Sequence, residues 1–489
     1  MVLVTARQIA AGDRLYDDIF SQWGPGTIAI AWLAKAFGAD SFVGFRVPVL
    51  LLQIFATASI LLSRVWQHRT QGFIAAAVFA FVTSALGPIW LGHMLLYTTV
   101  GGYLVTVSIA LVLAPLLMDR SPPLSAYAIA GACWTFLVAC AISFLPAALL
   151  FGLTTLLLVP QKKITYVLPL ISSALIGAIV VSALMIVWMA LFADFQGYWV
   201  NHIRFNTEVF SKIVSPPMNP LSPFKYVLRA FNDPLHSDFF PSFVVTLLFL
   251  SGTGAFFASG AARKKIVNIL AMTLMACMIL YLNPRGGTLH HPGGVMLASI
   301  GVIAIGFSCL IQMQISRIIL ITMMIAPFGL VVSAYKSGTA IYGAGVETIE
   351  LRNAGRNLQQ VSTPFNNAIR AVVDEDERVV VWEFLPFLYF NTDRLPSSSH
   401  MFLLPAQMSW LQLHGPAKGL PDPCAELQQK SPPAIVLGYW QPQNVKDFAP
   451  CVPEFAQKNY IAINSTPPIL YVRPDRTNRL RSEQIEQLP

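Results

Sequence analysis

Polar residues that could carry out chemistry occur in three clusters, each close to a long apolar segment. A carboxylate can take a proton from a hydroxyl nucleophile, and an arginine with one or two histidines can hold a phosphate leaving group. The candidate site residues are Arg14, Tyr16, Asp17 and Asp18 in the first cluster, His93 in the second, and Arg285, His290 and His291 in the third. Together these residue types predict transfer of a group from a lipid phosphate to a hydroxyl.

Each cluster also has a structural interpretation, which the sequence leaves open. Asp17 and Asp18 could form a solvated turn or pair with Arg14, and His93 could be a satisfied interface residue. Arg285 is followed by two glycines, whose flexible backbone lets an anion approach. Zinc could compete at His290-His291, but no companion pattern of ligands accompanies this pair. We therefore expect no cofactor, while a divalent metal ion stays an open alternative without support in the sequence.

The composition excludes a soluble protein. Of the 489 residues, 55% are hydrophobic and 11% are charged, whereas an ordinary soluble domain has about 25% charged residues. The formal net charge of +8 arises entirely before residue 336, in the apolar part of the chain. A basic excess there indicates orientation in a membrane and not binding of nucleic acid.

Ten apolar segments are predicted to be membrane spans, since a helix needs roughly 20 residues to cross the hydrocarbon core. They are 41–63, 72–89, 97–118, 124–143, 145–160, 167–193, 239–258, 266–282, 293–312 and 317–335. If the first runs inward, nine basic residues fall in the cytoplasmic connections: Arg64, Arg69, Arg120, Lys162, Lys163, Arg263, Lys264, Lys265 and Arg317. The positive-inside rule then places the N-terminal segment, the 194–238 loop and the C-terminal tail on the outer face. The segment 145–160 is short, and without it the orientation of everything that follows would be inverted.

These patterns divide the chain into an outer segment with interfacial helices (1–40), a membrane bundle (41–335) and an outer α/β domain (336–489). Residues 25–38 are apolar but too short to span, and predict a helix lying in the outer interface. In the tail, helices are expected at 345–360 and after the capping residue Thr363. Short β-branched or aromatic runs predict strands at 378–383, 434–438, 460–464 and 469–473, and residues 474–489 resemble a disordered end.

The cysteines fall into two groups. Four of them, Cys133, Cys140, Cys277 and Cys309, lie inside apolar segments and are expected to be small buried hydrophobes. Cys424 and Cys451 lie in the polar tail, where they would form a structural disulfide if the tail is outside the cytosol.

Several segments, in this order along the chain, resemble those of a known family. The matching residues are Gly12 with Tyr16-Asp17-Asp18 and Gly24-Pro25, the run Leu33–Gly38 leading to Arg46, Gly287 with His290-His291-Pro292, and in the tail Val380–Arg394 and Ile469–Arg473. The chain resembles the GT-C glycosyltransferases related to protein O-mannosyltransferases and the aminoarabinose transferases of lipid A. The resemblance implies an α-helical polytopic membrane bundle with a small C-terminal α/β domain.

The resemblance also implies a function. It is that of a bacterial inner-membrane enzyme, which transfers a monosaccharide from a polyprenyl-phosphate donor to a lipid, glycan or protein acceptor on the periplasmic face. Asp18 matches the family's Tyr-x-Asp pattern, so we expect it to be the first candidate for the catalytic carboxylate, and Asp17 the second; each could act as the base or position the substrate. Membrane lipid is an expected partner, and nucleic acid is not.

Such enzymes usually begin with a membrane helix and an Asp-Glu pair ahead of the segment that corresponds to residues 4–12. We therefore expect this chain to be an N-terminal truncation, or a degenerate member. The alternative function is a non-catalytic membrane protein that anchors a periplasmic binding domain. A transporter is a third possibility, but the sequence has no internal repeat and almost no charge at mid-span.

Overall fold

The computed structural model describes residues 2–40, 44–86, 94–160, 163–210, 221–225, 265–283, 292–310, 363–382, 386–401, 422–438 and 451–488. It is mostly helical, with a small sheet in the tail. The helices before the tail are α1 (Val2–Ala10), α2 (Pro25–Ala36), α3 (Val47–Leu61), α4 (Arg69–Leu86), α5 (Tyr97–Leu117), α6 (Leu124–Cys140), α7 (Leu145–Leu158), α8 (Ile164–Phe192), α9 (Lys265–Leu280) and α10 (Gly293–Leu310).

Helices α3 to α10 coincide with eight of the ten predicted apolar segments. The other two segments, 239–258 and 317–335, lie outside the described residues. Among the helices that are described, Gly44–Leu61, Tyr97–Leu117 and Ile164–Phe192 are long and apolar enough to cross a membrane by length and composition. The count of ten spans therefore stays a prediction.

Helices α6 and α8 pack against each other through two glycines. A Cβ atom placed on Gly177 would lie 1.9 Å from the Ala128 carbonyl oxygen, and one on Gly131 would lie 2.0 Å from that of Ala174. Since Gly131 meets residue 174 and Gly177 meets residue 128, the two helices run antiparallel. Small residues allow this close backbone approach in membrane bundles.

The close contact between α6 and α8 predicts that replacing either glycine destabilises the protein. Gly177→Ala or Gly131→Ala should lower the free energy of unfolding by about 1–3 kcal/mol, because each new methyl group meets backbone atoms. The measurement is the thermal unfolding temperature in detergent. Gly152→Ala, in α7, is the matched control, since among the described residues a Cβ there would have no atom within 4 Å outside the backbone of its own helix. Equal unfolding temperatures for the three variants would contradict the close contact.

The helix ends that the sequence assigns to the outer face meet at one end of the bundle. The Tyr97 ring at the start of α5 lies 5.8 Å from that of Phe144, just before α7. The start of α2 contacts the end of α6, since a Cβ on Gly24 would lie 2.3 Å from the Ala139 carbonyl oxygen. We call this end of the bundle the outer end.

The predicted cytoplasmic connections meet at the opposite end. There, the Arg120 guanidinium donates to the carbonyl oxygens of Arg64 at 3.1 Å and Trp66 at 2.5 Å. The Gln71 amide donates to the Ser308 carbonyl oxygen at 3.3 Å, which joins the start of α4 to the end of α10. In the described part of the bundle, the predicted outer connections therefore lie at one end and the predicted cytoplasmic connections at the other, as the charge pattern predicts.

The C-terminal domain contains a five-stranded sheet of order β2-β1-β3-β5-β4. Its strands are β1 (Arg378–Trp382), β2 (Leu395–Pro396), β3 (Ala434–Leu437), β4 (Ile461–Ala462) and β5 (Ile469–Val472). The pairs β2–β1 and β1–β3 are parallel, whereas β3–β5 and β5–β4 are antiparallel. The four predicted strands are confirmed, while β2 has only two residues and was not foreseen.

The helices of the domain follow local signals. They are α11 (Pro364–Val372), α12 (Phe387–Thr392), α13 (Pro423–Lys430), α14 (Cys451–Asn459) and α15 (Ser482–Glu486). The predicted cap is confirmed, because the Thr363 hydroxyl accepts the Asn366 N–H at 3.1 Å. Cys424 in α13 and Cys451 in α14 form a disulfide, with Cα atoms 5.9 Å apart. The predicted helix at 345–360 lies outside the described residues.

The expectation of a disordered end at 474–489 is wrong for the described residues up to 488. Pro474–Arg479 forms a 3-10 helix, followed by α15. The Arg476 guanidinium binds the carboxylates of Asp374 at 2.8 Å and Glu377 at 2.6 Å. Leu480 is buried in the apolar core of the domain. Ion pairs with residues about a hundred positions earlier, together with this leucine, order the end.

Candidate functional site

The first polar cluster forms a loop at the outer end, Ala11–Gly24, which we call the acidic loop. It is fastened to the end of α8, because the Leu15 N–H donates to the Phe192 carbonyl oxygen at 2.9 Å and the Asp194 N–H donates to that of Leu15 at 2.8 Å. Leu15 and Ile19 are fully buried. These contacts hold the acidic loop as a turn at a fixed position against the end of α8.

Asp17 and Asp18 lie on the exposed side of this turn. One carboxylate oxygen of Asp18 accepts the backbone N–H of Arg14 at 2.8 Å. The guanidinium of Arg14 donates instead to the carbonyl oxygen of Ala193, at 2.9 Å. Asp18 thus closes the turn, which is one of the structural interpretations, while both aspartates remain exposed.

Tyr16 is held inside the loop, and the substrate contact expected of it stays a prediction. Its side chain is buried, and its hydroxyl donates to the Trp23 carbonyl oxygen at 2.7 Å. Burial, with a contribution from Tyr198, raises the pKa of Tyr16 well above its ordinary value, so the phenol stays protonated. Tyr16 also has a positive φ of 69°, a conformation that costs energy and persists only where the surroundings impose it.

The remaining four candidates, His93, Arg285, His290 and His291, lie outside the described residues. The helices that follow them in sequence, α5 and α10, are described and run parallel in close contact. A Cβ atom on Gly294 would lie 2.6 Å from the Thr98 carbonyl oxygen, and one on Gly301 would lie 2.6 Å from the Thr106 side chain. The second and third clusters therefore lead into helix starts that lie side by side at the outer end.

Residues after α8 hold the acidic loop from one side, although no sequence motif marks them. They lie in a π-helical segment, Tyr198–Arg204 continued by Asn206–Phe210. The Asn201 amide donates to the Tyr16 carbonyl oxygen at 2.8 Å, and the Asn206 amide donates to that of Gln22 at 2.7 Å. Segments with π-helical bonding are frequent at functional sites.

His202, in the same segment, has a defined tautomer. Its Nδ1 lies 2.8 Å from the Gln22 carbonyl oxygen, which can only accept, so Nδ1 carries the hydrogen. Its Nε2 is buried and has no hydrogen-bond partner among the described residues. Burial lowers the pKa of His202 against the opposing effect of the Gln22 bond, so the ring is neutral near pH 7.

The C-terminal domain holds the acidic loop from the other side. The guanidinium of Arg378, in β1, binds both carboxylate oxygens of Asp13, at 2.6 and 2.8 Å. The Phe20 N–H donates to the Ser399 carbonyl oxygen at 3.0 Å, and the Phe20 ring stacks on His400 with centroids 5.3 Å apart. One apolar core includes residues of α1, the loop, the end of α8 and the C-terminal domain.

A polar cluster around Glu426 in the C-terminal domain binds Ser399, the residue that accepts the Phe20 N–H. The Glu426 carboxylate accepts the Ser399 N–H and hydroxyl, both at 2.9 Å, and the Lys430 ammonium at 2.5 Å. Its burial would raise its pKa, but hydrogen bonds with His400 and Lys430 outweigh burial and lower the pKa of Glu426 from 4.5 to about 2. The carboxylate is therefore charged at any pH the folded chain encounters in the cell.

Glu426→Gln should reduce the free energy of unfolding at pH 7 by on the order of 3 kcal/mol, the equivalent of the pKa shift. Because folding lowers this pKa, the contribution is present above pH 4.5 and is lost as the pH falls toward 2. The difference between the unfolding temperatures of wild type and variant in detergent should therefore narrow progressively as the pH falls from 4.5 toward 2. Glu454→Gln, at an exposed position in α14, is the control. It should change neither the unfolding temperature at pH 7 nor its dependence on pH. If the unfolding temperatures of wild type and Glu426→Gln differed by as much at pH 3 as at pH 7, this assignment would be contradicted.

In the described part of the chain, no three His, Cys, Asp or Glu residues are grouped so that they could hold a metal ion. The acidic loop presents two exposed carboxylates, those of Asp17 and Asp18.

Comparison with known proteins identifies the fold. No family model matches the sequence, and no curated protein matches it. Among solved structures, the chain is similar to ArnT from Cupriavidus metallidurans bound to undecaprenyl phosphate, with 12% identity and a TM-score of 0.55 over 98% of this chain and 93% of that one. The apo state of the same protein matches with 12% identity and a TM-score of 0.53, over 96% of this chain and 92% of that one.

A third similar structure is that of the Archaeoglobus fulgidus oligosaccharyltransferase tethered with an acceptor peptide. It has 13% identity and a TM-score of 0.48, over 96% of this chain and 69% of that one. The similarity to ArnT, an aminoarabinose transferase, extends over almost the whole of both chains. The chain therefore has the GT-C fold that its sequence resemblance implied.

Proposed function

We propose that this chain is an integral-membrane glycosyltransferase, which transfers a monosaccharide from a polyprenyl-phosphate donor to a lipid, glycan or protein acceptor. The observation that carries the proposal is the full-length similarity to ArnT, whose structure was solved with undecaprenyl phosphate bound. The acidic loop at the outer end supports it, since two aspartates there are exposed and held in place.

The proposed reaction is a single displacement. An acceptor hydroxyl gives its proton to a carboxylate, Asp18 or Asp17, while its oxygen attacks the anomeric carbon of the sugar. The bond from that carbon to the phosphate oxygen breaks, the configuration inverts, and polyprenyl phosphate leaves with the electron pair. Asp17 and Asp18 could instead position the substrate, and the variants described in the Discussion separate these roles.

The remaining candidates would bind the donor phosphate. Arg285 with His290 or His291 supplies charge and hydrogen-bond donors, and His93 and Arg14 supply further polar contacts. In this proposal the side-by-side starts of α5 and α10 bring the second and third clusters together near the acidic loop. Tyr16 stays a predicted substrate contact, although its hydroxyl is engaged within the loop.

We also propose that the outer end faces the periplasm and that the bundle spans the bacterial inner membrane. The charge pattern supports this orientation, since the Arg64 and Arg120 connections lie at the end opposite the acidic loop. The disulfide between Cys424 and Cys451 is consistent with an oxidising compartment for the C-terminal domain.

The alternative, a non-catalytic anchor for a binding domain, gives a different expectation for the C-terminal domain. A separate binding module would have little reason to share a core with the bundle. Here the domain pairs with Asp13 and Phe20 on either side of the two exposed aspartates, and shares an apolar core with α1 and the end of α8. This arrangement favours the enzyme.

The experiment is an assay of the full chain in membranes with radiolabelled polyprenyl-phosphate sugars and a mixture of lipid, glycan and peptide acceptors. We expect transfer of label and stoichiometric release of polyprenyl phosphate. Membranes from cells without the chain are the control. If donors with several different sugars all gave no transfer and did not bind to the purified chain, the function would be wrong and the anchor would be favoured.

A further inference from the structure

Both ends of the turn that carries Asp17 and Asp18 are fastened to the C-terminal domain. Before the turn, the Asp13 carboxylate forms a two-bond ion pair with the Arg378 guanidinium, at 2.6 and 2.8 Å. After it, the Phe20 N–H donates to the Ser399 carbonyl oxygen at 3.0 Å. A two-bond arginine–carboxylate pair fixes orientation as well as distance.

The ion pair is also partly buried. The Asp13 side chain is 14% exposed and that of Arg378 is 34% exposed. Arg378 lies in β1, which is hydrogen-bonded to a strand on each side, so its backbone cannot move alone. A second charged contact reinforces the junction, since Arg7 of α1 pairs with Asp393, beyond the end of α12.

We propose that Arg378 is a positioning residue for the transfer reaction, which holds the acidic loop through Asp13 so that Asp17 and Asp18 face the reacting groups. The proposal rests on the proposed function and adds a role for the C-terminal domain in it. Arg378 does not touch substrate. It acts through Asp13, four residues before Asp17, and its loss changes where the exposed carboxylates lie and not their chemistry.

The test compares four variants of the full chain in detergent and in membranes. Arg378→Gln should lower kcat by a factor of ten or more and leave the donor KM within twofold, because phosphate binding involves other residues. Arg378→Asp should lower kcat further, since it faces Asp13 with a like charge. The exchanged pair, Asp13→Arg with Arg378→Asp, should recover at least a third of the wild-type kcat.

Arg473→Gln is the matched control, because Arg473 forms a similar two-bond pair with Asp475, at 2.6 and 3.0 Å, within the C-terminal domain. It should leave kcat unchanged. Recovery in the exchanged pair excludes a general folding defect, which a second substitution would worsen.

Hydrogen–deuterium exchange gives a readout that does not depend on activity. The amides of Leu15, Tyr16 and Phe20 are hydrogen-bonded in the wild type, and peptides covering 11–24 should exchange at least tenfold faster in Arg378→Gln. If Arg378→Gln keeps wild-type kcat and wild-type exchange, the inference is wrong. If the wild type transfers no sugar while exchange responds as expected, the proposed function fails and the coupling between domain and loop stands.

Discussion

Asp18→Asn should reduce the transfer rate by about 10²–10⁴-fold if Asp18 is the proton acceptor, the usual range for loss of a general base. The substitution is informative because an amide oxygen can still accept the Arg14 N–H that the carboxylate accepts at 2.8 Å. The turn is therefore retained, and only the ability to take a proton is lost. The measurement is kcat with a defined polyprenyl-phosphate sugar.

Two companion variants separate chemistry from structure. Asp18→Ala removes the turn hydrogen bond as well, so it should also speed hydrogen exchange in residues 11–24, whereas Asp18→Asn should not. Asp17→Asn tests the neighbouring carboxylate, which is exposed and forms no hydrogen bond among the described residues. If Asp17→Asn shows the large loss of kcat and Asp18→Asn does not, Asp17 is the base and Asp18 is not. Full activity in both would exclude either aspartate as the base.

Arg285→Ala should abolish measurable transfer, a loss of at least about 10²-fold, if Arg285 holds the leaving phosphate as its charge develops. Arg285→Lys keeps the charge but not the planar two-bond geometry, so we expect an intermediate loss. Donor binding, followed by the displacement of a fluorescent polyprenyl phosphate, should weaken in the alanine variant in parallel with its activity.

A control for this prediction is Arg204→Gln, since Arg204 is another arginine of the outer end and pairs with Glu208 at 3.4 Å. It should leave donor binding unchanged. Wild-type transfer by Arg285→Ala, with normal expression, would remove the third cluster from the site. The proposed reaction would then need another group for the phosphate.

The helices and strands were largely predictable, because local signals determine them. Continuous apolar runs gave the positions of α3 to α10, and Thr363 followed by proline gave the start of α11. The expected orientation of the connections also depended on a local property, the position of each arginine and lysine relative to an apolar run. The structure brings Arg64 and Arg120 together at the end that this count predicts.

Contacts between distant residues were not predictable from these signals. Arg476 orders the C-terminal end through Asp374 and Glu377, which precede it by 102 and 99 positions, and hydrophobic periodicity contains no information on such pairs. The same holds for the residues around the acidic loop. Tyr16 and Asp18 were identified by type, but whether a phenol or carboxylate faces outward depends on the Trp23 and Arg14 backbone groups that bind them.

The pairing of Asp13 with Arg378 has a consequence for the order in which the protein is made. The two residues are 365 positions apart, so the ribosome completes the acidic loop long before it reaches the strand that holds this loop. Until the C-terminal domain has folded, the loop has its contacts with α8 but not those with Arg378 and Ser399. A nascent chain therefore holds the acidic loop from one side only, and under the proposed function we expect sugar transfer to require the folded C-terminal domain.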